Sequence, residues 1–454
     1  MIPYFLIRPL TAAIPVKSVR KRLRRFLLDR ARDRRVSKGL TVVRKRYAAH
    51  EQACVSKLRR GEKLRVAFLV CDDSMFTGES LWLRMKDDPQ FDCFIAAAPR
   101  VTRGPDFLRE RLAETTDALS SKYGSASVFP LCGPDGRDVR PLEADIVFSS
   151  IMYEEQSLPS CTVYELSRRS LVVMLPYGYG GLFMVDLKRL VFLPNLAWSW
   201  KLVFSNEPTL RLWAETNPVL ALNSAACGYA KMDRYVDVAE AEAKRKSPSG
   251  AKTIMICAHH SLGWDAEALH ISTFLENADL YLELPALFPE IKFIFNPHPL
   301  LLVKLRTAEW WGGKRTDEYF GKLRSHKNLE FVIGDYFPAF ARSDALMHDC
   351  GSFLAEYFYT GKPQCYLYAD ADELERQCTP FARQMLSAAY RARTREEIVA
   401  FIRNVVIAGD DPKKDMRTDL AKRDVCVNHP HAAEAVVNLV KKTLCGLQHP
   451  KAAT

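Results

Sequence analysis

The chain has 454 residues, 48% hydrophobic and 26% charged, with 25 Pro, 21 Gly and 12 Cys. This composition excludes a disordered, fibrous or disulfide-stapled protein, and the length calls for two domains plus extensions, not one core. The formal charge of +11 is uneven: residues 1–60 hold 18 Lys and Arg against 3 acidic residues, and the remainder holds 47 against 51.

Residues 1–60 read as a basic amphipathic extension. After the apolar start MIPYFLIRPL, the run VKSVRKRLRRFLLDRARDRR sets Val19, Leu23, Phe26 and Leu27 on one helical stripe with Arg around it. Such a helix suits an anionic membrane surface, where each basic residue contributes on the order of 1 kcal/mol at low salt. The pattern also fits a helix packed on the protein's own acidic surface, or one bound to nucleic acid. Against nucleic acid, few aromatic residues interleave the basic ones, and no zinc-finger or RNA-recognition motif is present. The charges follow the apolar stretch instead of preceding it and no small-residue cleavage site comes after, unlike a secretory signal. No window reaches the ~18 apolar residues of a spanning helix. The twelve Cys are scattered, with no CxxC pair or zinc spacing, as expected of reduced thiols. The expected location is cytoplasmic, peripheral on the inner face of the cell membrane.

Residues 61–238 carry strand signals at LRVAFLV (64–70), FDCFIAAAP (91–99), ADIVFSS (144–150), LVVMLPYG (171–178), KLVFSNE (201–207) and VLALNSAACG (219–228). Helical patterns lie between them, notably Asp106 to Ser121 and Thr209 to Glu215. This alternation predicts a parallel sheet with helices on both faces. No GxGxxG follows the first strand, which argues against a nicotinamide dinucleotide. LVFLPNLAWSWKLVF (190–204), broken by Pro194, Asn195 and Lys201, reads as core or as an acceptor-side surface whose two Trp could equally face lipid. Residues 239–250, AEAEAKRKSPSG, are charged and end in Pro and Gly, and so read as the linker.

In residues 251–425 the alternation restarts. TIMICAHH (253–260) delivers His259 and His260 to a strand end, and KFIFNPHP (292–299) does the same with His298, at the edge where open α/β sheets bind ligands. Between and after them come helices over Ala266 to Phe288 and Asp317 to Ser325 and a strand over Glu330 to Ile333. Then YFPAFARSDALMHDCGSFLAEYFYTGKPQCYLY (336–368) packs strand, turn, helix and strand into one unit. There Gly351 lets backbone approach a ligand, the helix start attracts a phosphate, and Ser352 caps the helix and donates to that phosphate. Glu356, one turn further on the same face, falls where a ribose would lie. Asp349 orders the turn at the donor site, and Lys362 either reaches the phosphates or is solvated. Asp370-Ala371-Asp372 follows the last strand of this unit within a charged helix start, and so does not read as an Asp-x-Asp metal clamp. Pro430 to Cys445, within the tail 426–454, is an amphipathic helix.

The succession ICAHH, FNPHPLL and DCGSFLAEYFYTGKP resembles the CDP-glycerol glycerophosphotransferases of teichoic-acid and capsule-type polymers. Gly-Ser-x-x-x-Glu is similar to the nucleotide-diphosphate turn of the wider GT-B group, including UDP-sugar 2-epimerases. The resemblance implies an α/β GT-B fold: two doubly wound Rossmann-like domains facing a cleft, an acceptor domain (61–238) and a nucleotide-donor domain (251–425), with the C-terminal helix crossing back. It implies transfer of phosphoglycerol, or a related phospho-polyol, from a CDP-activated donor to a hydroxyl of a membrane-linked glycan, with no metal or other cofactor. VLALNSAACGYAKMD (219–233) is similar to a family segment ending in Gly-Tyr-Pro-Arg-x-Asp and puts Asp233 on the acceptor side. Tyr177-Gly178 stand where many members have the His-Gly pair of the acceptor-activating base. A phenol, with a reference pKa of about 10, is a poor base at neutral pH. Either His259 or His260 takes that work, with Tyr177 shaping the acceptor pocket, or the scaffold runs another reaction. A nucleotide-sugar glycosyltransferase and a catalytically inactive membrane scaffold are the alternatives.

Overall fold

The computed structural model describes residues 9, 11–12, 16–73, 76–98, 105–133, 140–245, 250–263 and 270–448. Apart from Pro9, the apolar start MIPYFLIRPL lies outside them.

Lys17–Arg59 form one helix, α1, about 65 Å long at ~1.5 Å per residue. It stops where Gly61 takes φ +75°. The N–H groups of Gly61 and Glu62 return to the carbonyls of Leu58 and Lys57 at 3.1 and 3.0 Å, a Schellman-type closure that a side chain at Gly61 would strain. The two halves of α1 have different surroundings. Val19, Leu23 and Phe26 are 53%, 40% and 53% exposed, whereas Val36, Val43, Tyr47, Cys54 and Val55 are buried in the core of the first domain. Tyr47 Oη donates to the Trp198 carbonyl at 2.8 Å, Trp198 Nε1 to the Val36 carbonyl at 3.0 Å, and Trp200 Nε1 to Glu51 at 2.6 Å. A Cβ on Gly39 would lie 2.6 Å from the Trp198 ring, so this glycine sets how closely α1 docks. The second half of the basic extension therefore packs on the protein itself, and Trp198 and Trp200 face α1, not lipid. Among the described residues, no helix is long and apolar enough to cross a membrane.

The first sheet comprises β1 (Leu64–Val70), β2 (Phe91–Ala97), β3 (Val128–Pro130), β4 (Ile146–Ser149), β5 (Leu171–Met174), β6 (Lys201–Phe204) and β7 (Ser224–Ala226). Its order is β3-β2-β1-β4-β5-β6-β7, every pairing being parallel. Only Arg65 of β1 is exposed, because helices cover both faces and a parallel strand must then be apolar throughout. The short helix α2 (Pro194–Trp198) carries Trp198 to α1.

After β7, helix α3 (Tyr235–Arg245) occupies most of the predicted linker. Tyr235 meets Phe337 edge-on at 6.0 Å, and Glu242 pairs with Arg342 at 3.9 Å. Residues 239–245 are thus helix packed on the second domain, because the Ala-rich run that looked like a solvated spacer has one apolar side to bury. Residues 246–249 lie outside the described residues.

The second sheet comprises β8 (Thr253–Cys257), β9 (Lys292–Phe295), β10 (Leu329–Phe331), β11 (Ala345–His348), β12 (Gln364–Leu367) and β13 (Tyr390–Ala392), in the order β10-β9-β8-β11-β12-β13, again parallel. Helices α4 (Pro299–Leu305), α5 (Phe337–Arg342), α6 (Gly351–Glu356) and α7 (Ala371–Gln377) follow β9, β10, β11 and β12. In both sheets the chain runs outward from a central strand in two directions, which opens a crevice at the carboxyl ends of β1/β4 and β8/β11. The last helix, α8 (Ala432–Gln448), returns to the first domain, where Val436, Val437, Val440 and Leu444 are buried and Lys441 pairs with Asp88 at 2.5 Å.

Candidate active site

Three histidines meet at the carboxyl ends of β8 and β9. The His259 and His260 rings stack at 4.4 Å, His260 lies 4.3 Å from His298, and His259 lies 5.5 Å from His298. His298 caps α4: its Nδ1 accepts from Leu300 N at 3.1 Å, which leaves Nε2 to carry the ring proton. His259 Nδ1 accepts from Ser261 N at 3.2 Å, again directing the proton to Nε2. His260 Nδ1 is buried without a hydrogen-bond partner among the described residues.

Burial, then the neighbouring rings and Lys304, hold His259 well below the ordinary histidine range. Burial and Lys304 lower His260, and burial, His260 and Lys304 take His298 down to about 4. The cluster is neutral at pH 7, rich in N–H donors and flanked by an amine. That is an environment for a polyanion. Lys304 had no sequence signal; only the α4 helix brings it back toward the rings.

Asp349 supports this edge from beneath. One carboxylate oxygen accepts from His259 N at 2.6 Å, the other from Thr273 N at 2.6 Å and Thr273 Oγ1 at 3.1 Å. Burial raises its carboxyl to about 6 against those bonds. It orders the turn, as its turn chemistry predicts, and its oxygens are committed to the protein instead of to a donor.

Gly351 and Ser352 face the first domain. A Cβ on Gly351 would come 2.7 Å from the Phe183 ring, and one on Gly178 would come 3.0 Å from Ser352 Oγ. The glycines at 178 and 351 therefore let the two domains approach at the turn. Tyr177, 44% exposed, lines a cavity of about 100 Å³ with Cys71, Asp72, Ser150 and Tyr153 at the carboxyl edge of the first sheet.

Four assignments are corrected. Ser352 does not cap α6, because it lies inside the helix, whose N-cap is Cys350 with no side-chain cap bond. Glu356 is 1% exposed; Tyr229 Oη donates to its Oε1 at 3.3 Å, Tyr336 Oη donates to its Oε2, and Lys231 Nζ donates to Tyr336 Oη at 2.7 Å. The carboxylate sits inside an inter-domain network, not on an open ribose shelf, since residues after β7 reach across to it. Lys362 Nζ donates to the carbonyls of Phe340, Ala341 and Ser343 at 3.0, 2.8 and 2.5 Å. It closes the end of α5 and is not free to reach phosphate. Asp233 accepts from Ala432 N at 3.3 Å and Ala433 N at 2.7 Å. It caps α8 instead of facing an acceptor. Asp370 likewise caps α7, accepting from Glu373 N at 2.7 Å, and among the described residues no group of three or more His, Cys, Asp or Glu is gathered as a metal site.

Beside β12 lies a larger cavity, about 230 Å³, that sequence reading missed. Its wall includes Ser272, whose hydroxyl donates to the His259 carbonyl at 2.7 Å.

No family model matches the chain, and no curated protein matches it by sequence. Solved structures do match by shape. The chain is similar to the wall teichoic acid polymerase TagF, with a TM-score of 0.54 and 13% identity over 93% of this chain and 99% of that one. A TagF structure soaked with CDPG gives 0.52 at 13% identity, over 93% and 99%. UDP-GlcNAc 2-epimerase from Neisseria meningitidis, bound to UDP-GlcNAc, gives 0.51 at 13% identity, over 84% and 100%. The fold is thus GT-B, two Rossmann-like domains about a cleft, as the resemblance implied.

Proposed function

We propose that this GT-B protein is a transferase of cell-surface polymer synthesis that moves phosphoglycerol, or a related phospho-polyol, from a CDP-activated donor to a hydroxyl of a membrane-linked glycan. The observation that carries the reading is the histidine cluster with Lys304 at the carboxyl ends of β8 and β9, beside the Gly351–Ser352 turn. A diphosphate seated there meets neutral N–H donors without bringing cation against cation. His260, whose Nδ1 has no partner among the described residues, then takes the acceptor proton, while His259 donates an N–H bond toward the leaving nucleoside monophosphate and His298 with Ser352 holds the phosphates. In this reading no metal takes part, because the histidines and Lys304 carry the compensation.

The basic first half of α1, with Val19, Leu23 and Phe26 exposed, supports a place on an anionic membrane surface beside such an acceptor. A second reading, a nucleotide-sugar glycosyltransferase, draws on Tyr177. Its phenol faces the first-sheet cavity where the family pattern has an imidazole base.

Calorimetry with CDP-glycerol, CDP, UDP, UDP-sugars and ADP tests the choice, with Ser352→Ala alongside. Selective cytidine binding weakened in the variant is expected. Uridine preference would move the assignment to the glycosyltransferase, and no nucleotide binding would refute both.

A further inference from the structure

The cavity of about 230 Å³ beside β12 is lined by Ile271, Ser272, Tyr366, Tyr368, Glu373 and Gln377, among others. It adjoins the histidine edge, because Ser272 bonds the His259 backbone and Tyr366 Oη lies 3.5 Å from the Asp349 carbonyl. Its surroundings share no residue with the Tyr229–Glu356–Tyr336 network. The walls combine two chemistries. Tyr366, Tyr368, Ile271 and Leu374 give flat or apolar surface, while Glu373 and Gln377, one helical turn apart on α7, give a carboxylate and an amide, with Arg376, paired to that carboxylate, and with His270 and Asp370 in the same wall.

Gln377 has its amide N–H groups engaged, with Nε2 donating to the His270 carbonyl at 3.2 Å and to Glu373 at 2.6 Å. Its Oε1 is buried with no hydrogen-bond partner among the described residues. A buried acceptor left in that state is costly, and a ligand hydroxyl is the kind of donor that satisfies it. Aromatic and aliphatic surface for C–H faces, with a carboxylate and an amide for hydroxyls, is the chemistry that recognises a polyhydroxylated carbon chain or ring. The volume corresponds to roughly eight waters at about 30 Å³ each, more than a glycerol frame fills and enough for a longer polyol or one sugar ring.

We propose that this cavity holds the polyhydroxylated group being transferred, one larger than glycerol, with Glu373 and Gln377 reading its hydroxyls. This rests on the nucleotide-donor reading above and narrows it. The probes are CDP-ribitol and UDP-N-acetylglucosamine, each compared with its bare nucleoside diphosphate. The variants are Glu373→Gln, which keeps the shape, and Ala369→Leu, which enters the cavity from an exposed position.

The expected result is that wild-type protein binds one complete donor more tightly than its bare diphosphate, and that each variant weakens the complete donor about tenfold, or ~1.4 kcal/mol, leaving the bare diphosphate unchanged. Two results would overturn the proposal alone while the donor reading stands: equal affinity of wild type for complete and bare forms, or equal losses for both in the variants. No binding of any nucleotide by wild type would overturn the donor reading and this proposal with it. If Glu373→Gln lowers the unfolding midpoint, Ala369→Leu decides the matter.

Discussion

At the scale of single residues, burial biases the titratable groups of the site toward their uncharged forms, and this sets a pH response. His298 falls from the ordinary 6.5 to about 4, so between those values the unfolded chain binds a proton that the native site refuses. Its contribution to stability is present above that window and lost as pH falls through it. Asp349 acts oppositely: raised from 3.8 to about 6, it contributes below that range and loses the contribution as pH rises through it. His259 and His260 are lowered as well, so the histidines outweigh the one carboxyl. Thermal unfolding from pH ~4.5 to ~6.5 is expected to show a rising midpoint, with a shallower rise in His298→Asn. Glu356 gives a second expectation. Removing it in Glu356→Ala leaves the buried hydroxyls of Tyr229 and Tyr336 without their acceptor, costing about 1–3 kcal/mol in denaturant unfolding; an unchanged midpoint would show the network to be idle. Residue types were legible here and environments were not. The three histidines announce themselves by ending strands, but nothing in GYAKMD or in the spacing to Tyr336 says that a helix-face glutamate will be sealed by tyrosines from both domains.

At the scale of elements, strands were readable wherever both faces are buried. LRVAFLV needs no partner to declare itself, and it pairs over its full length with FDCFIAA. β13, only three residues long and charged at Arg391, gave no periodic signal. The helices α3 and α8 are decided by what they rest on: the same Ala- and charge-rich pattern suits a spacer until Phe337 lies beside it. Lys362 and Asp233 belong to this scale, since each satisfies the orphan backbone groups at a helix end, a role that only the finished fold makes visible. α1 offers the sharpest test. In Gly39→Ala the added methyl meets the Trp198 ring at a separation no packed core allows, so a loss of about 1–3 kcal/mol is expected, with a shift in tryptophan emission as the helix lifts.

At the scale of the molecule, α1 divides by its surroundings, exposed in its first half and buried in its second. Vesicle flotation should show that removing residues 1–30 abolishes binding to anionic lipid and leaves the unfolding midpoint nearly unchanged. Removing residues 1–60 should also strip Val43, Tyr47 and Val55 from the core and yield an unstable, aggregating protein. Equal behaviour of the two truncations would place the docking boundary elsewhere. The two-domain plan was the most legible feature of all, because alternating strands and helices restart after residue 250; the joint between domains was the least, because it is made by residues far apart in sequence.

One consequence of the returning helix α8 concerns the order of manufacture. The first sheet is complete by Ala226, yet Val436, Val440 and Leu444 close its core. On the ribosome the N-terminal domain must wait, its apolar flank uncovered, while some two hundred further residues are made, on the order of ten seconds or more at ~5–20 residues per second. During that interval the nascent chain carries an uncovered apolar flank, and it is the helix Ala432–Gln448, not the last strand, that closes it.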